Sequence, residues 1–206
     1  MFFMTVYLIV LIVIVLISMA AFSSPALMAR FQLNPWSVVH RKEYVRVLSH
    51  AFLHVDWMHL LINVFVLFSF SRAVVFYFSY YLPGNGNVLY LILFLTAIPM
   101  SALYSVVKHR NNPNYNAVGA SGAVSAVVFA SIFFDPYNPV LLFAVLPIPG
   151  IIFGVLYLVY SAYMGRKQID NIGHDAHFFG AVYGLIFPIL YEPKLLLRFI
   201  EQLTDF

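Results

Sequence analysis

Residues 114–130 read NYNAVGASGAVSAVVFA. The stretch starts polar, runs through Gly119-Ala120-Ser121-Gly122-Ala123 and turns apolar, so a hydroxyl lies between small residues where a hydrophobic helix begins. Asp135-Pro136 closes that helix after about 14 residues, a rise of about 21 Å at 1.5 Å per residue, whereas a bilayer core is about 30 Å thick. A segment this short in lipid starts below the membrane surface. The polar loop before it, with Asn111, Asn112, Asn114 and Asn116, must then dip to meet it, and non-helical backbone at that depth survives only where protein or a water-filled cavity satisfies it. Ser121 is accordingly expected on the floor of a wet pocket at a helix N-terminus. Gly119, Ala120 and Gly122 would shape the turn, the glycines because they let the backbone bend and approach closely, and the free N–H groups of the first turn would face an anion.

The rest of the chain fits a lipid setting. Of 206 residues, 63% are hydrophobic and 9% charged, against about 25% charged in an average soluble domain. A water-soluble core of this size has no use for so much apolar surface, so the excess is expected to face lipid. There is no cysteine, which excludes disulfides and cysteine-based metal or redox chemistry. The formal net charge is +3 with its basic residues scattered, unlike the basic stripe of a nucleic-acid binder. Anionic lipid headgroups suffice as partners for those charges.

Six membrane helices are predicted, at about 4–22, 57–78, 88–107, 121–134, 149–164 and 175–191, in a single domain spanning 1–206. Breaks fall at Ser24-Pro25, at Pro83 to Asn87, at Lys108 to Asn116, at Asp135 to Pro139 and at Arg166 to Asp170. Pro149 suits the first turn of the fifth helix. The first run has a second reading as a cleaved signal peptide, given the small Ala20 and Ala21, but no basic residue precedes it and it is long for that role.

Alternating topology then creates a constellation. Even-numbered helices all enter from one face, so His59 at the start of the second, Ser121 at the start of the fourth and His177 at the start of the sixth lie near the same membrane surface. Serine needs a base to become a nucleophile, and histidine is the side chain tuned for that near neutral pH. His177, Gly180 and Gly184 are spaced i, i+3, i+7 on one face, and such glycines let membrane helices press together. With Gly122 at the contact, His177 would reach Ser121. His59 and Asn63 at i, i+4 present an imidazole and an amide, the kind of donors that stabilise an oxyanion alongside the Ser121 N–H, each worth about 3 kcal/mol of barrier. Asp175 points elsewhere on its helix, which favours a Ser-His dyad over a triad.

Each feature also has a structural reading. A cluster of small residues is a common packing surface, and a single intramembrane histidine can be a satisfied bundle residue; their joint occurrence on one face is what points to chemistry. His50 and His54, or His174 and His177, have metal-like spacing, yet no His-Glu-x-x-His stretch exists. No metal and no cofactor are therefore expected, and His54 is expected to bond within the loop preceding the second helix. The aromatic residues, among them Phe133, Phe134, Tyr157 and Tyr160, are read as lipid contacts and interfacial anchors.

The motifs HVDWMHLLIN (54–63), GASGA (119–123) and AHFFGAVYG (176–184) together resemble the rhomboid family of intramembrane serine proteases, in its basic six-helix form, over about His40 to Tyr191. The resemblance implies an all-α membrane protein, a six-transmembrane-helix bundle with a short, submerged helix 4. It further implies Ser121 as nucleophile, His177 as general base and then acid, and His59, Asn63 and the Ser121 N–H as the oxyanion hole. Three departures stand out. Ser125 occupies a position where members often carry an aromatic residue packed on the histidine ring; Ser71 and Val75 replace a glycine and a glutamate, which is expected to weaken a structural hydrogen bond; and the long first loop lacks an adjacent Trp-Arg pair.

The implied function is hydrolysis of peptide bonds in or near transmembrane segments of membrane proteins, entering laterally past the fifth helix or the loop before the sixth. A rhomboid-like pseudoenzyme that binds membrane helices as a chaperone or extraction factor is the alternative, although such relatives usually lack the serine or the histidine. A channel or transporter would need a polar path across the whole membrane, which the spans do not offer. The chain is expected to be an integral multi-pass membrane protein, in the inner membrane if bacterial. Its basic residues crowd the odd-loop face, with Arg30, Arg41, Lys42, Arg46, Lys108, Arg110, Arg166 and Lys167 against Arg72, Lys194 and Arg198 opposite. Such an excess usually stays cytoplasmic, whereas the resemblance implies cytoplasmic termini and a site opening outward.

Overall fold

A computed structural model describes residues 6–142, 145–167 and 172–204. The chain is mostly helical: α1 (Val6–Phe22), α2 (Pro25–Phe31), α3 (Pro35–His40), α4 (Arg46–Ser49) with a 3₁₀ turn at His50–Phe52, α5 (Trp57–Tyr81) and α6 (Gly86–His109) precede α7 (Ser121–Phe134). A hairpin of β1 (Pro139–Leu142) and β2 (Leu146–Pro149) follows, then α8 (Gly150–Lys167), α9 (His174–Tyr191) and α10 (Leu195–Thr204). α5 and α6, with 25 and 24 residues and a mean hydropathy of 1.9 each, are long and apolar enough to cross a membrane; α1 and α7 are shorter apolar helices.

Local chemistry sets several starts. The Asp56 carboxylate accepts the His59 N–H at 2.7 Å, an N-cap that fixes where α5 begins. Ser24 and Asn34 cap α2 and α3, each followed by proline at the first helical position. Asn85 caps α6.

α7 is the centre of the molecule. Every residue from Gly122 to Phe134 is buried, which corrects the reading of Phe133 and Phe134 as lipid contacts. Phe134 stacks on Tyr77 and Tyr81, and Phe133 on Phe199 of α10. A helix surrounded on all sides is apolar on all sides, and that pattern cannot be told from a lipid-facing one in sequence. The closest packing is between α7 and α9. A Cβ at Gly180 would overlap the Gly122 carbonyl, and one at Gly184 the Ala126 carbonyl, so two backbones approach here to a distance that only glycine permits.

The structure departs from an all-α chain at the hairpin, whose strands pair Pro139 with Pro149 and Leu142 with Leu146. Pro147 and Pro149 lack the N–H that a helix interior needs, so α8 begins at Gly150 rather than at Pro149. Pro139, at the first residue of a two-stranded ribbon, is where a strand tolerates proline. The first helix was expected from residue 4, which lies outside the described residues, as does most of the break at Arg166 to Asp170; α8 itself continues to Lys167. α5 runs three residues past its expected end.

α10 lies beyond the six expected spans. Arg198 Nη1 and Gln202 Nε2 donate to the Phe134 carbonyl at 3.2 and 3.0 Å, and the guanidinium lies 4.1 Å from the Tyr81 ring centroid. A cation thereby meets the carbonyl end of α7, where the helix dipole favours it. The first loop folds as short helices held by Arg46, which pairs with Glu43 and donates to the carbonyls of Ala29 and Gln32 at 2.8 and 2.9 Å. Asn34 Nδ2 donates to the carbonyls of Pro113 and Tyr115, and Leu33 forms an antiparallel bridge with Ala117. These bonds place the loop that leads into α7.

Candidate active site

That loop ends at Gly119, whose φ of +121° is a conformation that side-chain-bearing residues rarely adopt. Its N–H donates to the His50 carbonyl at 3.0 Å. A Cβ there would lie 2.6 Å from His59 Cε1, so the imidazole rests directly on the glycine backbone. Ser121 follows as the first residue of α7. The first intrahelical bond of that helix runs from Val124 N–H to the Ala120 carbonyl, which leaves the amides of Ser121, Gly122 and Ala123 without helical acceptors.

Ser121, His177, His59, Asn63, Gly119, Ala120 and Gly122 line one cavity of about 1550 Å³. Gly180 and Gly184 lie outside it and act through packing on α7. A Cβ at Gly122 would come within 3.3 Å of the Ala176 carbonyl, so the neighbour of the serine touches the neighbour of the histidine. Asn63 is 3% exposed, and its Nδ2 donates to the His59 carbonyl at 2.8 Å. An amide nitrogen carries two hydrogens, so one remains for a ligand. The Asp175 carboxylate is held by Lys108 Nζ at 2.7 Å, and the same ammonium donates to the Gly165 carbonyl at 3.3 Å.

The question raised by Ser125 has a structural answer that the sequence does not signal. Ser125 Oγ donates to the Ser121 carbonyl at 2.8 Å and lies 2.6 Å from the hydroxyl of Tyr157, on α8. The Tyr157 ring is stacked with the ring of His177, interplanar angle 24° and centroids 6.2 Å apart. Tyr157 is therefore a half-buried wall of the cavity, not a lipid anchor. The second departure is also met: Ser71 Oγ and Tyr90 hydroxyl are hydrogen-bonded at 2.7 Å in the core between α5 and α6.

His54 corrects the expectation of a bond within its own loop, because its Nδ1 lies 2.8 Å from Ser18 Oγ of α1. Ser18 also donates to the Phe52 carbonyl at 3.0 Å. A hydroxyl has one hydrogen, so His54 carries its proton on Nδ1 and donates. Its ring meets His59 edge-to-face with centroids 4.8 Å apart. Burial, and secondarily the neighbouring His59, push the His54 imidazole from 6.5 down to about 3. Burial likewise pushes His50 down to about 4, against the opposing effect of its bond to the Arg46 carbonyl. The metal-like spacing of 50 and 54 is thus used in two separate hydrogen bonds. Among the described residues no three His, Cys, Asp or Glu side chains gather as a metal site.

Fold and site define the class: a mostly helical protein of membrane character, with a serine at the head of a buried central helix and a histidine on the helix pressed against it. The Rhomboid domain model matches residues 41–194, and the chain belongs to the rhomboid family. It is similar to RHOMBOID-like protein 12, mitochondrial, of Arabidopsis thaliana, with 27% identity over 148 residues, 68% of this chain and 44% of the relative. The chain thus spans less than half the length of that relative.

Proposed function

We propose that the protein is an intramembrane serine endopeptidase acting through a Ser121-His177 dyad on transmembrane segments of other membrane proteins. The observation that carries this reading is the shared cavity of Ser121, His177, His59 and Asn63, contributed by α7, α9 and α5. His177 takes the Ser121 proton as Oγ attacks the scissile carbonyl carbon. The oxyanion that forms is met by the second Asn63 hydrogen, the His59 ring and the Ser121 N–H, donors aimed where charge develops. His177 then returns the proton to the leaving amine, and a water deacylates the serine by the reverse proton path. A helical substrate must open locally first, because its carbonyls are already hydrogen-bonded.

The membrane arrangement belongs to the same proposal. α1, α5, α6, α7, α8 and α9 are the six spans. α7, with 14 residues, is the submerged one, and α10 fills the space beneath its C-terminus. Outward opening of the site is proposed against the basic excess of the odd-loop face, because the first loop folds as short helices that can lie in the interface, where basic residues are tolerated on either face. Arg46 is paired with Glu43 and Lys108 with Asp175, while Arg30, Arg41 and Lys167 lie over the rings of Phe31, Trp36 and Tyr163. Lateral entry is read between α5 and α8, where Val66 and Phe70 face Phe153 and Tyr157 around Phe129.

The test is labelling of purified, detergent-solubilised protein with a fluorophosphonate, together with cleavage of a reconstituted transmembrane substrate. Labelling and cleavage that vanish in both Ser121→Ala and His177→Ala support the dyad. An unlabelled wild type beside a labelled control protease would sink it and leave a helix-binding pseudoenzyme.

A further inference from the structure

The hydrogen bonds around Ser125 have one consistent direction. Ser125 spends its single hydroxyl hydrogen on the Ser121 carbonyl one turn back, so the Tyr157 hydroxyl, 2.6 Å away, must be the donor to Ser125 Oγ. The polar end of Tyr157 is therefore fixed to Ser125 on α7, and through that hydroxyl to the Ser121 carbonyl. Its ring lies stacked beside the ring of His177. One side chain, carried by neither α7 nor α9, thus stacks beside His177 and is tied through Ser125 to the backbone of Ser121. The ring is itself held by Phe129 of α7 and Phe153 of α8, with centroids 5.5 and 5.6 Å away.

On the reading of the site as a Ser-His dyad, we propose that Tyr157 is a positioning residue. It sets the plane of the His177 imidazole and the seat of Ser121 together, from a third helix. A general base works only within hydrogen-bond reach of its proton and in the right orientation, and the flat face of Tyr157 supplies that restraint on the side where Ser125 is too small to do so. Because the ring rides on α8, any outward movement of α8 withdraws it from His177.

The test compares Tyr157→Leu, Tyr157→Phe, Ser125→Ala and the Tyr157→Phe/Ser125→Ala pair in the full chain. The two readouts are the rate of Ser121-dependent fluorophosphonate labelling, which needs no substrate helix to enter, and the NMR shift of the His177 ring protons. Tyr157→Leu should slow labelling about tenfold, a part of the 10²–10⁴ that a positioned base contributes, and should remove the ring-current shift at His177. Tyr157→Phe, which breaks the bond to Ser125, should cost about threefold and Ser125→Ala, which also loses the bond to the Ser121 carbonyl, at least as much, with the pair no worse than Ser125→Ala alone because the shared bond is already gone. Phenylalanine also keeps the ring, so Tyr157→Phe should retain the His177 shift even if Tyr157→Leu folds poorly. Wild-type labelling in Tyr157→Leu, or an unmoved His177 shift, overturns the proposal. If wild-type protein is not labelled at all, the dyad reading fails by itself, and the His177 shift still decides whether Tyr157 holds that ring.

Discussion

Gly119→Ala should separate catalysis from stability at one atom. The new methyl carbon would sit 2.6 Å from His59 Cε1 and 2.8 Å from Nε2, where carbon contacts settle at about 3.5–4.0 Å. The ring must therefore retreat by about 1 Å. It has little room, because the buried His54 lies edge-on behind it, centroids 4.8 Å apart. The backbone adds its own penalty, since φ of +121° costs a residue with a side chain about 1–3 kcal/mol. Displacing an oxyanion donor by about 1 Å costs about 100-fold in rate, which is about 2.7 kcal/mol of barrier at 1.36 per factor of ten. The assay is steady-state cleavage of a reconstituted transmembrane substrate beside thermal unfolding in the same detergent. Turnover should fall about 100-fold with a lowered Tm, and KM should change little because the donor engages only in the transition state. A variant that unfolds earlier but turns over at the wild-type rate would refute the placement of His59 as an oxyanion donor.

Three further outcomes follow from the same geometry. Gly180→Val should force α7 and α9 apart, since even a Cβ overlaps the Gly122 carbonyl; overpacking of this kind costs about 1–3 kcal/mol or more, read as a fall in Tm with loss of labelling. Arg198→Ala should remove donors from the Phe134 carbonyl and the Tyr81 hydroxyl, lowering Tm by the equivalent of about 1–3 kcal/mol with the labelling rate of the folded protein unchanged, because α10 lies at the far end of α7. His50 and His54 are held below 6.5, at about 4 and about 3. Unfolded chains therefore take up these protons first, so their contribution to stability is complete above pH 6.5 and is lost as pH falls through 4 toward 3. Tm measured against pH should be flat above 6.5 and drop below it, and His50→Phe should shallow that drop.

The convergence of the candidate site was legible in sequence wherever a rare residue falls at a place that topology fixes. Ser121 between Gly119 and Gly122, His177 three and seven residues before Gly180 and Gly184, and His59 with Asn63 at one helical turn are local spacings, and helix periodicity converts each into a shared face. The apolar runs fixed helix existence for the same reason. Tyr157, Arg46 and Ser18 escaped, because each acts across sequence separations of 14 to 36 residues that carry no periodic signal. At the hairpin, Pro149 suits a helix start as well as a strand end, so the pattern alone does not separate the two; in α10, Leu196, Phe199, Ile200 and Leu203 at i, i+3, i+4, i+7 are a helical signal legible in the sequence, too short for a membrane span, whose place beneath α7 is not.

What the sequence determined by itself was the membrane character, the helical class and the identity of the residues converging on one cavity, since composition and period are properties of the chain alone. Tertiary structure alone decided which aromatic residues are exposed and which form the core, where the α7–α9 backbone contact falls, and which ring lies beside His177. Those outcomes depend on which helix stands beside which. That choice is made by packing between residues far apart in the chain, where a hydroxyl such as Tyr157 finds its partner only after α8 has been laid against α7.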